Sequence, residues 1–138
     1  MSIRSVLSLL AAASLCLTGC PSDNGGGGVP ASAGTVVYLA DQDIAGVFEL
    51  YLGGSGTKLN PALAAGRTIT NFAITPDAAA VVYIADQDQD DVFELYRVNL
   101  ASPGASTKLN GALVAGGDVV QLAVTADGTA VVYRADQT

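Results

Sequence analysis

The aspartates are the residues in this sequence whose type and spacing could support chemistry, namely the binding of a cation. They are concentrated in two short runs that both contain the letters ADQD. The first run holds Asp41 and Asp43, and the second holds Asp86, Asp88, Asp90 and Asp91. Hard cations such as Ca²⁺ prefer dense sets of carboxylate oxygens. The runs are therefore candidate cation sites, and Ca²⁺ is the one cofactor that the sequence offers.

The second run does not follow the EF-hand pattern, because Asp91 and Arg97 stand where that loop requires Gly and a bidentate Glu. A solvated acidic turn explains the same residues. Asp side chains accept hydrogen bonds from backbone N–H groups in turns, and charges at strand ends discourage aggregation. We prefer this interpretation, because carboxylate runs are common in exposed loops.

The residue types argue against catalysis. The chain contains no His, and its two cysteines, Cys16 and Cys20, both lie in the N-terminal segment. The segment Gly54-Ser55-Gly56 lacks the spacing of a nucleophile elbow. Glu49 and Glu94 occupy equivalent repeat positions, which favours a repeated structural role over a glycosidase pair. We therefore expect a protein that is not an enzyme.

The N-terminal segment has the organisation of an export signal. Arg4 precedes an apolar run from Val6 to Leu17, which is too short to span a membrane. The next residues, Leu17-Thr18-Gly19-Cys20, resemble the lipobox of bacterial lipoproteins. The resemblance implies cleavage before Cys20 and a lipid on its thiol. Pro21 stands where an Asp favours inner-membrane retention in enteric bacteria, so the resemblance implies the outer membrane or cell surface.

Three regions follow from this organisation. Residues 1–19 are expected to form a lipoprotein signal peptide. Residues 20–34 would be the lipidated cysteine and a flexible linker, because Gly, Ser, Pro and Asn dominate and Gly25 to Gly28 form an unbroken run. The folded part would be residues 35–138.

The folded part repeats itself. VVYLADQD from Val36 returns as VVYIADQD from Val81 and as VVYRADQ from Val131, and TKLN from Thr57 returns from Thr107. This spacing falls in the range of about 40 to 50 residues that is typical of propeller blades. Tyrosines and phenylalanines recur at equivalent positions, which predicts packing between stacked sheets.

Each repeat predicts four short strands, because segments rich in Val, Ile, Tyr, Phe and Thr alternate with turn residues. The predicted strands of the central repeat are Thr70–Thr75, Ala80–Ala85, Val92–Val98 and Thr107–Asn110. We therefore expect an all-β chain of four-stranded antiparallel β-meander repeats, present in about two copies. Leu39 and Ile84 align with Arg134, which predicts that this position lies near solvent.

Thr75-Pro76-Asp77 and Thr125-Ala126-Asp127-Gly128 resemble the turn of the β-propeller repeats in the TolB and prolyl-oligopeptidase N-terminal families, which are WD40-like. The resemblance implies that the repeats fold as propeller blades, and we infer no activity from it. The turn departs from the family pattern at Ala126 and at Ala78. About two blades make an incomplete propeller.

The last predicted strand, Val131 to Ala135, has no following VFELY segment to pair with. Its open edge predicts one of two situations. The chain is a truncated reading of a longer propeller, or copies of the chain associate through this edge.

The charge balance excludes nucleic acid as a partner. The net charge is −7, and basic side chains are scattered singly, so no surface would neutralise phosphates. We expect a membrane-tethered, non-enzymatic binding or scaffold module of the bacterial cell envelope with a protein partner at Asp86–Asp91 and Arg97–Ser106. The alternatives are a Ca²⁺-stabilised structural repeat and the non-catalytic propeller part of a truncated hydrolase.

Overall fold

The computed structural model describes residues 34–137, which belong to one compact unit. The predicted signal peptide, the lipidated Cys20 and nearly all of the predicted linker lie outside the described residues. Within residues 34–137, no helix is long and apolar enough to cross a membrane.

The described residues form nine strands in three antiparallel sheets, and in each sheet the strand order follows the chain. The first sheet contains β1 (Val37–Ala40), β2 (Glu49–Leu52) and β3 (Thr57–Lys58). The central sheet contains β4 (Ile69–Ile74), β5 (Ala80–Ala85), β6 (Glu94–Asn99) and β7 (Ser106–Lys108). The third sheet contains β8 (Val119–Val124) and β9 (Val131–Ala135). The prediction of an all-β fold with antiparallel sheets is confirmed, and no helix occurs between residues 34 and 137.

The central sheet is one whole repeat, and its strands lie close to their predicted positions. The largest differences are two positions, at the start of β6, which begins after Val92 and Phe93, and at the end of β7, which stops before Asn110. Val92 donates its N–H to Gln89 and Phe93 donates its N–H to the Asp118 carboxylate, so neither group joins the ladder. The strand therefore begins at Glu94, where pairing with Ala85 starts.

The central sheet is buried on both faces, because all six residues of β5 are buried and alternate residues point to opposite sides. Val81 and Tyr83 pack against the first sheet, whereas Val82 and Ile84 pack against the third. Ile84 is 1% exposed, so the prediction that its position lies near solvent is wrong for the central repeat. The third sheet covers it.

The two contacts between sheets use the same pair of faces. We call the side of each sheet that carries Tyr38, Tyr83 or Tyr133 its tyrosine face. The opposite side is the valine face, and it carries Val37, Val82 or Val132. The valine face of the first sheet packs on the tyrosine face of the central sheet. The valine face of the central sheet packs in turn on the tyrosine face of the third.

The turns before β5 and β9 have the same hydrogen bonds. The Thr75 hydroxyl donates to Asp77 at 2.6 Å and accepts the Ala80 N–H at 3.0 Å. Thr125 repeats these bonds with Asp127 at 2.5 Å and with the Ala130 N–H at 3.0 Å. The hydroxyl of Thr125 and then the N–H of Thr129 lower the pKa of Asp127 to about 2. The turn is therefore stabilised above pH 4, and this contribution is lost as the pH falls toward 2.

The fourth residue of this turn adopts a left-handed conformation in both copies. Its φ is 54° at Ala78 and 71° at Gly128. This region suits Gly, because a Cβ there lies too close to the backbone. Ala78 is therefore strained, and Gly128 is not.

We expect Ala78→Gly to raise the free energy of unfolding by about 0.5 kcal/mol, since relief of the left-handed strain exceeds the added entropy of Gly in the unfolded chain. The reverse change at the other turn, Gly128→Ala, should lower it by about 1 kcal/mol. Its new Cβ would lie 3.3 Å from Pro76 Cδ. Urea unfolding followed by circular dichroism measures both. Equal destabilisation by the two variants would contradict this account.

Candidate functional site

The aspartate runs lie in hairpin loops at one end of the stacked sheets, which we call the aspartate end. One loop joins β1 to β2, and the other joins β5 to β6. Phe48, which closes the first loop, accepts the Ile69 N–H at 3.0 Å. Ile69 pairs with Ala85 at the end of β5, so the two loops are neighbours.

Three of the six predicted aspartates come together. Asp86, Asp90 and Asp91 each offer a carboxylate oxygen, and these oxygens lie within 4.8 Å of one another. Asp86 is buried and accepts the Thr68 N–H at 2.7 Å, whereas Asp90 and Asp91 are exposed. A divalent cation with oxygen ligands fits this arrangement chemically.

Asp91 occupies a backbone position that usually requires Gly. Its φ is 57°, and the equivalent residue of the first repeat is Gly46 with a φ of 81°. The loops therefore share a conformation, but the first repeat has Ala45 and Gly46 where the second has Asp90 and Asp91. Only the second loop has three carboxylates together.

The other three predicted aspartates have separate partners. Asp41 accepts the Gly46 N–H at 3.1 Å and so holds its own loop. Asp43 lies 2.6 Å from the Lys58 ammonium, and Asp88 lies 3.0 Å from that of Lys108. These three carboxylates therefore stabilise their own hairpin loop or connect it to a lysine on a neighbouring strand.

Lys58 also holds a buried carboxylate. Its ammonium lies 2.7 Å from Glu49, whose side chain is 1% exposed. Glu49 accepts the Leu63 N–H at 2.8 Å, and Asn60 accepts the Leu50 N–H at 2.8 Å through its side-chain oxygen. These bonds fasten β3 and the chain beyond it to β2, so Glu49 is satisfied although it is buried.

The second repeat contains the same arrangement. Lys108 lies 2.7 Å from Glu94, and Asn110 accepts the Leu95 N–H at 2.8 Å. The Tyr96 hydroxyl donates to Glu94 at 2.9 Å. We call each set of Glu, Lys and Asn the lysine network. The repeated letters TKLN signalled it in the sequence, because a motif that recurs with a Glu at a matching position indicates paired roles.

The ionisation of these groups follows from their partners. Burial lowers the pKa of Lys58, but its bonds to Asp43 and Glu49 outweigh burial and raise the pKa above the ordinary value. Burial raises the pKa of Tyr83 to about 12. Both groups are therefore protonated at neutral pH. The Tyr83 contribution to stability is present below pH 10, its ordinary value, and is lost as the pH rises toward 12.

The predicted insertion, Arg97–Ser106, lies at the opposite end of the central sheet. Its first residues belong to β6, and Asn99 pairs with Ala80 at the start of β5. The Gly104 N–H donates to Leu59 at 2.7 Å, which fastens this loop to the first sheet. The exposed turn of the insertion is therefore distant from the aspartate loops, although its last residue, Ser106, accepts a hydrogen bond from the Gln87 side-chain amide of the second loop at 3.1 Å.

We expect Lys58→Met to lower the free energy of unfolding by about 3 kcal/mol, because it leaves the buried Glu49 without its cation. The matched variant Lys108→Met should cost about 1 kcal/mol, since Lys108 is 39% exposed and Glu94 is 13% exposed. Urea unfolding at pH 7 compares them. Equal losses would show that the burial of Glu49 does not set the cost.

Comparison of the chain with protein-family models, curated proteins and solved structures gives no match. The geometry of the described residues is therefore the basis for assigning a function.

Proposed function

We propose that this chain is a membrane-tethered, non-enzymatic binding module of the bacterial cell envelope, built from β-propeller-type repeats. The observation that carries the proposal is the aspartate end, where the hairpin loops of successive sheets lie side by side. Binding residues are commonly placed on loops that a rigid scaffold positions. The central sheet, which is buried on both faces, is such a scaffold.

The propeller-type assignment is supported by the order and stacking of the sheets. The central sheet is a four-stranded antiparallel meander, as in a propeller blade. Each contact between sheets repeats the pairing of a valine face with a tyrosine face. The resemblance of the Thr75 and Thr125 turns to TolB-like repeats points the same way.

The aspartate end combines negative charge with exposed apolar side chains. Ile44 is 40% exposed and Phe48 is 45% exposed, and both lie in the loop that holds Asp41 and Asp43. A surface of this kind suits a protein partner that presents Lys or Arg around an apolar spot. The net charge of −7 would favour the encounter with such a partner.

The membrane tether is proposed from the lipobox-like residues that end at Cys20. A linker over residues 20–34 would allow a reach of roughly 20 Å from the lipid, by the scaling of flexible Gly-rich chains. More than one acyl chain on the cysteine would make the attachment stable. We place the protein at the outer membrane or the cell surface.

Site-specific photo-crosslinking in the bacterium that encodes the chain tests this function. A photoreactive phenylalanine at Ala45 or Gln89, both at the aspartate end, should give an adduct of one defined mass. The same residue at Ala101, which is exposed at the other end, should give none. Adducts are read on a denaturing gel and identified by mass spectrometry. Absence of adducts from both aspartate-end positions contradicts the proposed binding surface.

Two cysteine variants provide the control for the tether. Cys20→Ser should release the chain from the membrane fraction, because the lipid has no thiol to attach to. Cys16→Ser should fractionate like the wild type, since that cysteine lies within the predicted signal peptide. Retention of the Cys20→Ser variant at the membrane would overturn the lipoprotein assignment.

A second candidate function is a Ca²⁺-stabilised structural repeat. The observation that favours it is the approach of Asp86, Asp90 and Asp91 to within 4.8 Å of one another. A cation there would neutralise three carboxylates in one loop. It would also connect Asp86, which accepts the Thr68 N–H, to the exposed turn of the hairpin.

We expect millimolar Ca²⁺ to raise the melting temperature of the full chain by roughly 5 °C if this second function holds, since ligand binding to the folded state adds stability. Asp90→Asn should abolish the rise. Asp88→Asn should keep it, because Asp88 is paired with Lys108. A melting temperature that does not respond to Ca²⁺ eliminates this function.

A further inference from the structure

The third sheet leaves its valine face without a partner among residues 34–137. On the valine face of the central sheet, Val82 and Ile84 are 0% and 1% exposed. Their equivalents are Val132, which is 61% exposed, and Arg134, which is also exposed. Val120 adds a further 51% exposed side chain from β8. This face is therefore an apolar surface with one cation.

A depression of about 220 Å³ lies on the third sheet. Gln121, Ala123, Val132 and Arg134 are among the residues that line it. In the central sheet, the corresponding surface is filled by side chains of the next sheet. The packing of the third sheet on the central sheet therefore shows what kind of surface fits a valine face: the tyrosine face of another sheet.

Within the part of the chain that the structure describes, no other sheet packs on the tyrosine face of the first sheet, although Tyr51 on this face is only 3% exposed. Val36 is 61% exposed, although its equivalent Val81 is 0% exposed. Tyr38 is half-buried and stacks on Tyr51 with ring centroids 5.7 Å apart and an interplanar angle of 25°. The buried pair of the central sheet, Tyr83 and Tyr96, has a separation of 5.6 Å and the same angle. The first sheet thus holds its tyrosine pair in the geometry that the central sheet uses for packing.

Each molecule therefore exposes both halves of a contact that it already makes twice internally. We propose that a second copy of this chain packs the tyrosine face of its first sheet on the valine face of the third sheet, head to tail. The contact continues the established stacking of one sheet on the next. It differs from pairing through the edge of β9, because it joins two different surfaces.

Arg134 fits this contact. Its equivalent Ile84 shares an apolar cluster with Tyr133, so Arg134 would lie near Tyr38 of the second copy. A guanidinium over an aromatic ring is favourable, and Arg and Tyr are enriched at protein interfaces. Because the contact is heterologous, repeated addition forms a ring if the rotation closes and a filament if it does not.

Analytical ultracentrifugation of the full chain in density-matched detergent tests the proposal. The wild type should associate as its concentration rises. Val132→Asp and Val36→Asp should each weaken association at least about 100-fold, because each would bury an unpaired carboxylate. Val114→Asp, which changes a 40% exposed valine outside both faces, should associate like the wild type. Circular dichroism verifies that the variants fold.

A mixture of the two variants distinguishes head-to-tail packing, which joins two different faces, from a symmetric contact, which joins the same face of both copies. The Val132→Asp copy keeps an intact first sheet, and the Val36→Asp copy keeps an intact third sheet. An equimolar mixture should therefore form dimers and nothing larger. A wild type that stays monomeric, a Val36→Asp variant that associates normally, or a mixture that stays monomeric would each overturn the proposal.

Discussion

The burial of β5 on both faces is the constraint on which the rest of the structure depends. A strand that reads AVVYIA has no polar side for solvent, so it is stable only when a sheet lies on each side of it. Each fully buried Val or Ile contributes about 1.5 to 3 kcal/mol when the sheet that covers it is present. The first and third sheets therefore each form a hydrophobic cluster with one face of the central sheet, and the packing of the first sheet brings its hairpin loop beside that of the central sheet.

Two kinds of polar interaction make this apolar stacking specific. The lysine networks fasten the third strand of a repeat to the second, and the Thr–Asp turns fix the entry into β5 and β9. The lysine networks and the Thr75 hydroxyl use buried or partly buried groups that would be costly if left unsatisfied, whereas the turn carboxylates of Asp77 and Asp127 are exposed. A shift of one residue in register would separate these partners and would also turn the apolar side chains to the wrong side. The loops at the aspartate end therefore keep fixed positions.

The sequence predicted the features that depend on nearby residues and missed those that depend on distant ones. Strand periodicity and turn residues located β5 without error, because side-chain alternation is local. The burial of Ile84 does not follow from the alignment, because the aligned Arg134 lies on the valine face of the third sheet, which no other sheet covers within residues 34–137. The sequence marks the aspartates as one group, but the lysines that hold Asp43 and Asp88 follow far along the chain. The distinction between Asp43 and Asp88, which pair with lysines, and Asp86, Asp90 and Asp91, which lie together, therefore appears only in the folded structure.

The lysine network has a consequence for how such a chain can change its length. Glu49, Lys58 and Asn60 all belong to one repeat, and Glu94, Lys108 and Asn110 belong to the next. A gene duplication that copies one repeat copies every partner of its buried carboxylate. Repeats can therefore be gained or lost without stranding a charge in the core, and evolution can adjust their number while the stacking rule stays the same.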